Sequence, residues 1–449
     1  MFGLRTLVAP LCLGLLAACA SATDVTQSEQ DLVDPNNSNI RSPDIGTITQ
    51  LKLLPNTNVP RAALVGLNGS AASQTFVTEL HEHLRTINEA EGLAGADGYR
   101  QQINLIVATT RARYEQVLVA IRARMGLPAG AKVPLIDLVE NVSDDDIWMQ
   151  DFGEFAAVQG QNAPGQTWYG LLDAGRGRGI DVGVLGSKLG IPVTKLNNPP
   201  SGGAYGGNTE ATPEGRLYIG DAAPTSYIEG LKRLGNQDAV VLPSAWLRVG
   251  HVDEYTQVVP ARGACGGALL AASSLEAMNM ARRSPAAYAS VAPGIGAAMD
   301  AFATTRRAPG EDYRMSDFDM SRSPTTSEAA FVKQNLVAEQ AAQTAIQRLS
   351  AASCIGQQVI RLPQLYELSA GKGVAATPGT VNSLILRSHA IVPDPHIDEL
   401  RDVIRARYAE ALGSGDNVHF IDDTLYHEAL GEVHCGTNVI REPAMPYRF

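Results

Sequence analysis

The sequence predicts a mixed α/β fold, built as one folded unit from about residue 46 to residue 449. Strand-like and helix-like segments alternate along this region, and such alternation is typical of α/β or α+β proteins. The 43 glycines and 25 prolines are spread through the loops and mark no clear linker between domains. With 45% hydrophobic and 18% charged residues, the composition is that of an ordinary globular protein.

Apolar spacing identifies the individual elements within this region. Short strands are expected at 48–54, 62–67 and 255–260, and helices at 73–90, 112–125, 327–351 and 396–412. The last helix opens after Asp394-Pro395. The residues with recognisable chemistry are scattered among these elements, so a site that unites them requires the whole region to act as one catalytic unit.

The N-terminus has the pattern of an export signal. Arg5 precedes an apolar run over 7–18 that is too short to span a bilayer, and the run ends at residues 16–19 as Leu-Ala-Ala-Cys. This ending resembles a bacterial lipobox, in which Cys19 would carry the lipid; ordinary signal cleavage is the alternative. We therefore expect residues 1–19 to be a signal peptide, and the mature protein to be extracytoplasmic, as a membrane-anchored lipoprotein or a secreted protein.

Residues 20–45 are rich in Ser, Asp, Asn and Thr and poor in apolar groups, which predicts a disordered tether. The rest of the chain is acidic, since 47 Asp and Glu residues against 36 Lys and Arg residues give a net charge of −11. This balance argues against a nucleic-acid partner, which usually meets a basic surface. Membrane contact is expected only through the lipid anchor.

Three of the five cysteines remain after the signal segment: Cys265, Cys354 and Cys435. An odd number in an oxidising compartment leaves at least one thiol unpaired within the chain. Cys265 and Cys354 could form a disulfide and leave Cys435 free, or all three could stay reduced. The sequence leaves these alternatives open.

Four residues in short polar segments indicate an enzyme. Cys435 follows a histidine in a tight polar segment that suits a positioned thiol, and a nearby imidazolium or backbone N–H favours the reactive thiolate. His251 can exchange protons near neutral pH. If its segment is a strand, Asp253 lies on the same face. Together with Asp151, it offers two carboxylates that could flank a planar guanidinium cation. These residue types indicate a Cys/His/Asp hydrolase or amidine-processing enzyme.

Three segments carry a resemblance to a known family. The segments from Trp148 to Asp151, from Gly250 to Glu254 and from Gly431 to Asn438 resemble the catalytic blocks of the protein-arginine deiminases, in the same order. The resemblance covers 46–449. It implies the pentein fold, a five-bladed α/β propeller with pseudo-fivefold symmetry and the site at its centre.

The resemblance also implies roles for individual residues. Cys435 would be the nucleophile and His251 the proton shuttle, while Asp151 and Asp253 would hold the guanidinium. Trp148 would pack on the aliphatic stem of the substrate. The two remaining positions, Arg176 and Arg178, resemble the pair of arginines that binds the substrate backbone; outside the family, the same Arg-Gly-Arg-Gly string would be a solvated loop.

Calcium is a further implication of the resemblance. Gln150, Glu154 and Glu210 match one family site, and all three offer the hard oxygen ligands that calcium requires. A second site is incomplete, because Phe152 stands at an acidic position and Ala174 and Gly177 replace oxygen-bearing residues, although Asp173 is retained. We expect one calcium ion, with calcium independence as the alternative. The acidic run 144–146 is interpreted as a solvated turn.

The expected function is hydrolysis of peptidyl-arginine to peptidyl-citrulline and ammonia, through a covalent thiouronium intermediate on Cys435. The substrates would be arginine-containing proteins or peptides. One alternative is a deiminase of free arginine, agmatine or another small guanidine. Another is a non-catalytic lipoprotein that binds arginine peptides. The oligomeric state does not follow from the sequence.

Overall fold

The computed structural model describes residues 42–93, 102–142, 145–196, 202–263 and 265–446. The expected signal peptide 1–19, the first part of the tether and Asp144 lie outside these residues. The packed region reaches back to Ser42, whose N–H donates to Gly190 and whose hydroxyl donates to the Tyr169 carbonyl. Ile45 is 2% exposed. The end of the expected tether is therefore packed on the fold, because it buries an apolar side chain there.

Within the described residues the structure contains six sheets. The strands are β1 (Ile48–Leu53), β2 (Asn58–Gly66), β3 (Asn104–Ala108), β4 (Ile136–Val139), β5 (Gly153–Gly160), β6 (Ala163–Asp173), β7 (Val193–Lys195), β8 (Thr209–Ala211), β9 (Leu217–Gly220), β10 (Ala239–Leu242), β11 (Thr256–Pro260), β12 (Gly267–Ser273), β13 (Val359–Pro363), β14 (Tyr366–Ser369), β15 (Lys372–Ala375), β16 (Leu384–Leu386), β17 (His389–Pro393), β18 (Val418–Ile421) and β19 (Thr437–Pro446).

Helices connect and cover these sheets. They are α1 (Ala71–Ala90), α2 (Arg111–Met125), α3 (Val182–Leu189), α4 (Thr225–Gly235), α5 (Ser274–Arg283), α6 (Ile295–Phe302), α7 (Ser327–Ala352), α8 (Asp398–Leu412) and α9 (Thr424–His427). None of the helices within the described ranges is both long and apolar enough to cross a lipid bilayer.

The predicted elements are confirmed, with shifts of a few residues at their ends. The N-cap hydroxyl of Ser70 accepts from the Ser73 N–H, and this bond starts α1 earlier than the apolar spacing suggested. The helix expected from residue 396 begins at Asp398, because His396 has a φ of 53°, outside the helical region. Local patterns thus identified the elements, whereas hydrogen bonds at their ends set the boundaries.

Five of the sheets repeat one pattern of strands. In each, a first strand pairs antiparallel with a central strand, and a helical connection leads from the central strand to a third strand parallel to it. The five sets, named by their first strand, are β5-β6-β7, β8-β9-β10, β11-β12-β13, β16-β17-β18 and β19-β2-β3. The last set joins the two ends of the chain, because β19 pairs with β2. The fold is therefore mixed α/β and internally repetitive, although no sequence repeat revealed this.

Four of the five central strands are almost entirely buried, whereas the first half of β6 is exposed. In β2, Ala63, Leu64 and Val65 are fully buried, and in β12 every residue is buried. Strands buried in this way read as continuous apolar runs without alternation.

A disulfide bond cross-links the segments around one of these sheets. Cys265 lies in the turn between β11 and β12, and Cys354 begins a short 3₁₀ helix before β13. They form a disulfide with a Cα–Cα distance of 5.6 Å, and Cys435 is left as a buried free thiol. Of the two alternatives, the structure selects the first.

Candidate active site

The five repeated sheets bring the starts of their first strands to one place. The residue two positions before each of these strands is Asp151, Gly207, Glu254, Asn382 or Cys435. A Cβ on Gly207 would come within 2.8 Å of the carboxylate of Asp253 and of the imidazole of His251. The fold therefore unites residues far apart in sequence.

Cys435 lies at the centre of this cluster and is 4% exposed. Its thiol points to Asp253 Oδ2 at 3.7 Å, and the Asn382 side-chain N–H donates to Sγ at 3.3 Å. Its carbonyl accepts from the Gln150 N–H at 3.1 Å. Burial raises the pKa of the thiol well above its usual value, and the charges of Asp253 and Asp151 raise it further. In this state of the site the cysteine is a thiol.

His251 presents one ring nitrogen to the cluster. Its Nε2 lies 3.0 Å from the Gly202 carbonyl, which can only accept, so Nε2 carries the hydrogen. Nδ1 is buried and has no hydrogen bond among the described residues; Asp151 Oδ1 is 4.0 Å away. Glu254 fixes the segment by accepting from the N–H groups of Gly250 and His251. Nδ1 is therefore free to exchange a proton.

The segment that carries His251 and Asp253 is not a strand, as the same-face argument assumed. Residues Val252–Glu254 form a turn of 3₁₀ helix before β11. The two side chains nevertheless meet in the cluster, because this tight turn bends the chain between them. The same-face argument therefore does not apply, although the fold brings both side chains against Gly207.

Two carboxylates of the cluster are buried with unused bonding capacity. Asp253 is fully buried; Oδ2 accepts from His434 Nδ1 at 2.8 Å, while Oδ1 has no partner among the described residues. The side chain of Asp151 is 14% exposed, and burial raises its pKa although His251 and Arg176 lower it. An unpaired buried carboxylate oxygen costs several kcal/mol, roughly, unless a donor arrives. The unpartnered oxygen of Asp253 can accept a hydrogen bond from an N–H donor.

Arg176, which was expected to bind the substrate backbone, is buried beside two carboxylates. Its side chain is 2% exposed and forms an ion pair with Asp146; Nη2 also lies 3.4 Å from Asp151 Oδ2. Asp146 is 6% exposed in its side chain, so the prediction of a solvated acidic turn is wrong for this residue. Asp145, in contrast, is exposed and pairs with Arg113. The reason is that folding places a buried cation against Asp146.

The other two residues predicted to bind the substrate are Arg178 and Trp148. Arg178 is exposed, two residues after Arg176 in a loop whose glycines 175, 177 and 179 all have positive φ. Trp148 packs edge-on against Tyr426, with ring centroids 5.7 Å apart. A Cβ on Gly431 would come within 2.3 Å of the Trp148 ring and 3.1 Å of the Cys435 Cβ. The tryptophan thus lies beside the cysteine.

A second polar pocket adjoins the cluster and contains the three residues expected to bind calcium. Gln150, Glu154 and Glu210 line a cavity of about 20 Å³, room for one ion or water. Burial raises the pKa of Glu154, with the neighbouring Glu210 adding to it, and raises the pKa of Glu210 to about 7. Glu210 Oε1 has no hydrogen bond among the described residues. Two close buried carboxylates and a side-chain amide fit the oxygen chemistry of calcium.

A histidine and an arginine face the same carboxylates. His434 Nε2 lies 3.5 Å from Glu210 Oε1. Burial lowers the pKa of His434, but the hydrogen bond to Asp253 and the charge of Glu210 outweigh it, so the net shift is upward. Arg441 is buried, and burial lowers its pKa to about 10. The pocket is partly neutralised by the protein itself.

Three positions of the second calcium site lie close together, because the Ala174 N–H donates to the Phe152 carbonyl and Asp173 pairs with Gly153. Two of the three lack an oxygen-bearing side chain. Phe152 is fully buried and packs edge-on against Phe155, at 6.2 Å between centroids. Asp173 accepts from the Gly175 N–H and pairs with Lys195 at 3.4 Å. The expectation of a single calcium site stays a prediction.

Comparison with known proteins identifies the family. The family model described as protein-arginine deiminase matches residues 99–447, more than half of the chain. The chain belongs to the protein-arginine deiminase family. It is 28% identical to protein-arginine deiminase type-1 of Homo sapiens over 358 residues, which cover 72% of this chain and 50% of that protein. It is 29% identical to the human type-4 enzyme over 345 residues, 70% of this chain and 49% of that protein.

The chain thus spans about half the length of the curated relatives it matches. Among solved structures, it is similar to an agmatine deiminase of C. jejuni, with a TM-score of 0.52, 11% identity and coverage of 88% of this chain and 96% of that one. It is also similar to a Porphyromonas gingivalis protein provisionally described as an arginine deiminase, with a TM-score of 0.51, 16% identity and coverage of 88% and 100%. These neighbours are pentein deiminases, so the chain shares their fold.

Four site residues were missed from the sequence as functional candidates: Glu254, Asn382, His434 and Arg441. Glu254 and His434 lie in the segments that resemble the family's catalytic blocks, and their position next to predicted site residues could have identified them. Asn382 lies 53 residues before Cys435 in a loop with no recognisable motif. Arg441 lies within β19, where a charged residue in a buried strand was the available signal.

Proposed function

We propose that this protein hydrolyses the guanidinium group of arginine in peptides, which yields peptidyl-citrulline and ammonia. One observation carries the proposal: a cysteine sulfur, an unbonded imidazole nitrogen and two buried carboxylates meet at one point. Asp253 Oδ1 and His251 Nδ1 lack hydrogen-bond partners among the described residues. A guanidinium supplies the N–H donors and the positive charge that the carboxylates lack.

The first half of the reaction forms the covalent intermediate. The arriving cation offsets the charges of Asp151 and Asp253 and so favours the Cys435 thiolate, whose proton passes to His251 Nδ1. The sulfur electron pair forms a bond to the guanidinium carbon, while the C=N π electrons move to nitrogen. His251 then protonates one amino group, ammonia leaves, and a thiouronium remains on the sulfur.

The second half uses one water. A cavity of about 20 Å³, room for one water, adjoins Cys435 and is lined by polar groups that include Glu254, Gln364 and His427. His251 takes a proton from water, the hydroxide adds to the carbon, and the tetrahedral adduct collapses to the urea of citrulline. Its hydroxyl proton returns to the sulfur that leaves, and the proton on His251 converts ammonia to ammonium.

Calcium would be held by Gln150, Glu154 and Glu210. When bound, it supplies positive charge that lets both buried carboxylates stay ionised. Gln150 itself positions two site residues, because it directly precedes Asp151 and its N–H donates a hydrogen bond to the carbonyl of Cys435. An ordered Gln150 therefore fixes both the cysteine and a carboxylate that binds the substrate.

Selection of peptides over free arginine is proposed to depend on Arg178. It is exposed, two residues after the buried Arg176, so its donors are available to a peptide carbonyl. Arg176 is proposed to order Asp151 from within. Trp148 would pack against the apolar stem of the substrate arginine.

The five repeated sheets are proposed to be the blades of a five-bladed propeller. Their common strand pattern and the meeting of their first strands at one site support this arrangement. The proposed location is outside the cytoplasm, on a lipid anchor or secreted, and the disulfide between Cys265 and Cys354 suits an oxidising compartment. The proposed partners are arginine-containing proteins or peptides.

The test is citrulline formation by the chain without residues 1–19. An N-acylated arginine amide is compared with free arginine and agmatine, with calcium and with a chelator, and Cys435→Ala is the control. Turnover of the blocked substrate, lost in the variant, is expected. Turnover of a small guanidine alone would reassign the substrate, and no citrulline from folded protein would refute the proposal.

A further inference from the structure

Asn382 is a fully buried amide that contacts Cys435 at two points. Its Oδ1 accepts from the Cys435 N–H at 3.1 Å, and its Nδ2 donates to Cys435 Sγ at 3.3 Å. Its backbone carbonyl accepts from the His434 N–H at 3.2 Å. Three hydrogen bonds thus fix Asn382 against the segment that carries the cysteine.

The orientation of this amide follows from its partners. The backbone N–H of Cys435 can only donate, so the side-chain oxygen of Asn382 must face it. The amino group consequently points to the sulfur. The other polar side chain at hydrogen-bonding distance from the sulfur is Asp253, a carboxylate whose charge disfavours a thiolate. An N–H donor has the opposite effect, because hydrogen bonding to the charged form favours it.

The place of Asn382 in the fold supports a role in the site. It precedes β16 by two residues, as Cys435 precedes β19 and Asp151 precedes β5. Each of the five repeated sheets therefore contributes a residue at the equivalent position. Asp151, Glu254 and Cys435 have contacts that the proposed reaction uses, and Gly207 leaves space for the neighbouring Asp253 and His251 side chains. Asn382 occupies the fifth position.

We propose that Asn382 is a catalytic residue that donates a hydrogen bond to the Cys435 thiolate and aims it at the guanidinium carbon. This inference rests on the proposed function. Asn382 neither gains nor loses a proton: the thiol proton goes to His251, and the sulfur electron pair forms the bond to carbon. When the sulfur leaves in the second half, the same N–H stabilises the departing thiolate.

The test separates this donor from a merely structural contact. Asn382→Ala removes both bonds, whereas Asn382→Asp keeps an acceptor for the Cys435 N–H and removes the donor to sulfur. The matched control is Asn88→Ala, because Asn88 is equally buried and clamps Ile103 N–H and carbonyl in the same way, at 2.8 and 3.0 Å. Two readouts are used at one fixed pH: steady-state citrulline formation, and the rate at which 2-chloroacetamidine labels Cys435, followed by mass.

For Asn382→Ala we expect kcat to fall about 10- to 100-fold with little change in KM, the range for one hydrogen bond to a charged group. Labelling should slow in parallel, and Asn382→Asp should be impaired at least as much. Asn88→Ala should keep both rates. Wild-type kcat and labelling in Asn382→Asp, or equal labelling in all variants, would overturn the inference.

The labelling readout also separates this inference from the proposed function. Wild type that makes no citrulline, yet labels faster than Asn382→Ala, would refute the reaction and retain the donor. If wild type and Asn382→Ala make citrulline at the same rate, the proposed reaction is retained and the role of Asn382 as donor is refuted.

Discussion

Removal of the disulfide should lower stability and leave the active site intact. Cys265 and Cys354 are 89 residues apart, and the bond joins the β11–β12 turn to the segment before β13. A cross-link over this span removes roughly 15 cal/mol/K of chain entropy from the unfolded state, which is about 4–5 kcal/mol at room temperature. Both cysteines are partly exposed, so we expect this entropy to dominate the effect.

The variant is Cys265→Ser/Cys354→Ser, and the measurement is urea unfolding followed by tryptophan fluorescence. We expect the free energy of unfolding to fall by about 2–5 kcal/mol, because the entropic value is an upper estimate. Dithiothreitol should bring the wild type to the stability of the variant and leave the variant unchanged. Activity at a temperature where both are folded should be equal, since neither cysteine contacts His251, Asp253 or Cys435.

Two results would refute this reasoning. A loss below about 1 kcal/mol would mean that the unfolded chain gains little freedom when the bond is absent. A fall in kcat for the fully folded variant would mean that the disulfide affects the geometry of the active site, which the observed contacts do not predict.

Three further outcomes test the site itself. Arg178→Ala should raise KM for a peptide substrate and leave the kinetics with free arginine unchanged. Arg176→Ala should reduce kcat for both substrates and lower the free energy of unfolding by about 3–5 kcal/mol, because it leaves buried carboxylates unpaired. An effect of Arg176→Ala on the peptide substrate alone would contradict its position beside the guanidinium site. Burial raises the pKa of Glu254 and Glu432 to about 8. The stability that each contributes is therefore complete below its unfolded pKa of about 4.3 and is lost as pH rises through the folded value, at up to about 1.4 kcal/mol per pH unit. In urea unfolding, Glu432→Gln should make the free energy of unfolding depend less on pH between those limits, and an unchanged slope would refute the shift. Calcium at about 100 times its Kd should stabilise the chain by about 2.7 kcal/mol in thermal unfolding, and Glu210→Gln should abolish the gain; an equal gain in the variant would place calcium elsewhere.

The sequence alone indicated chemistry where it is encoded locally. The segments around Asp151, His251 and Cys435 carried the residue types of a thiol hydrolase for a cationic substrate, and their order carried the family resemblance. Apolar spacing located three of the strands and four of the helices, because periodicity reflects which face each element buries.

The tertiary structure decided what depends on long-range pairing. Pairing of β19 with β2 and the placement of five strand starts at one point bring Asn382 to the sulfur of Cys435, although 53 residues separate them. The same packing buries Asp146 with Arg176 and pairs Cys265 with Cys354. A lone Asn, an acidic run and three cysteines have many local interpretations, and only the desolvation and distances fixed by the folded sheets select one of them.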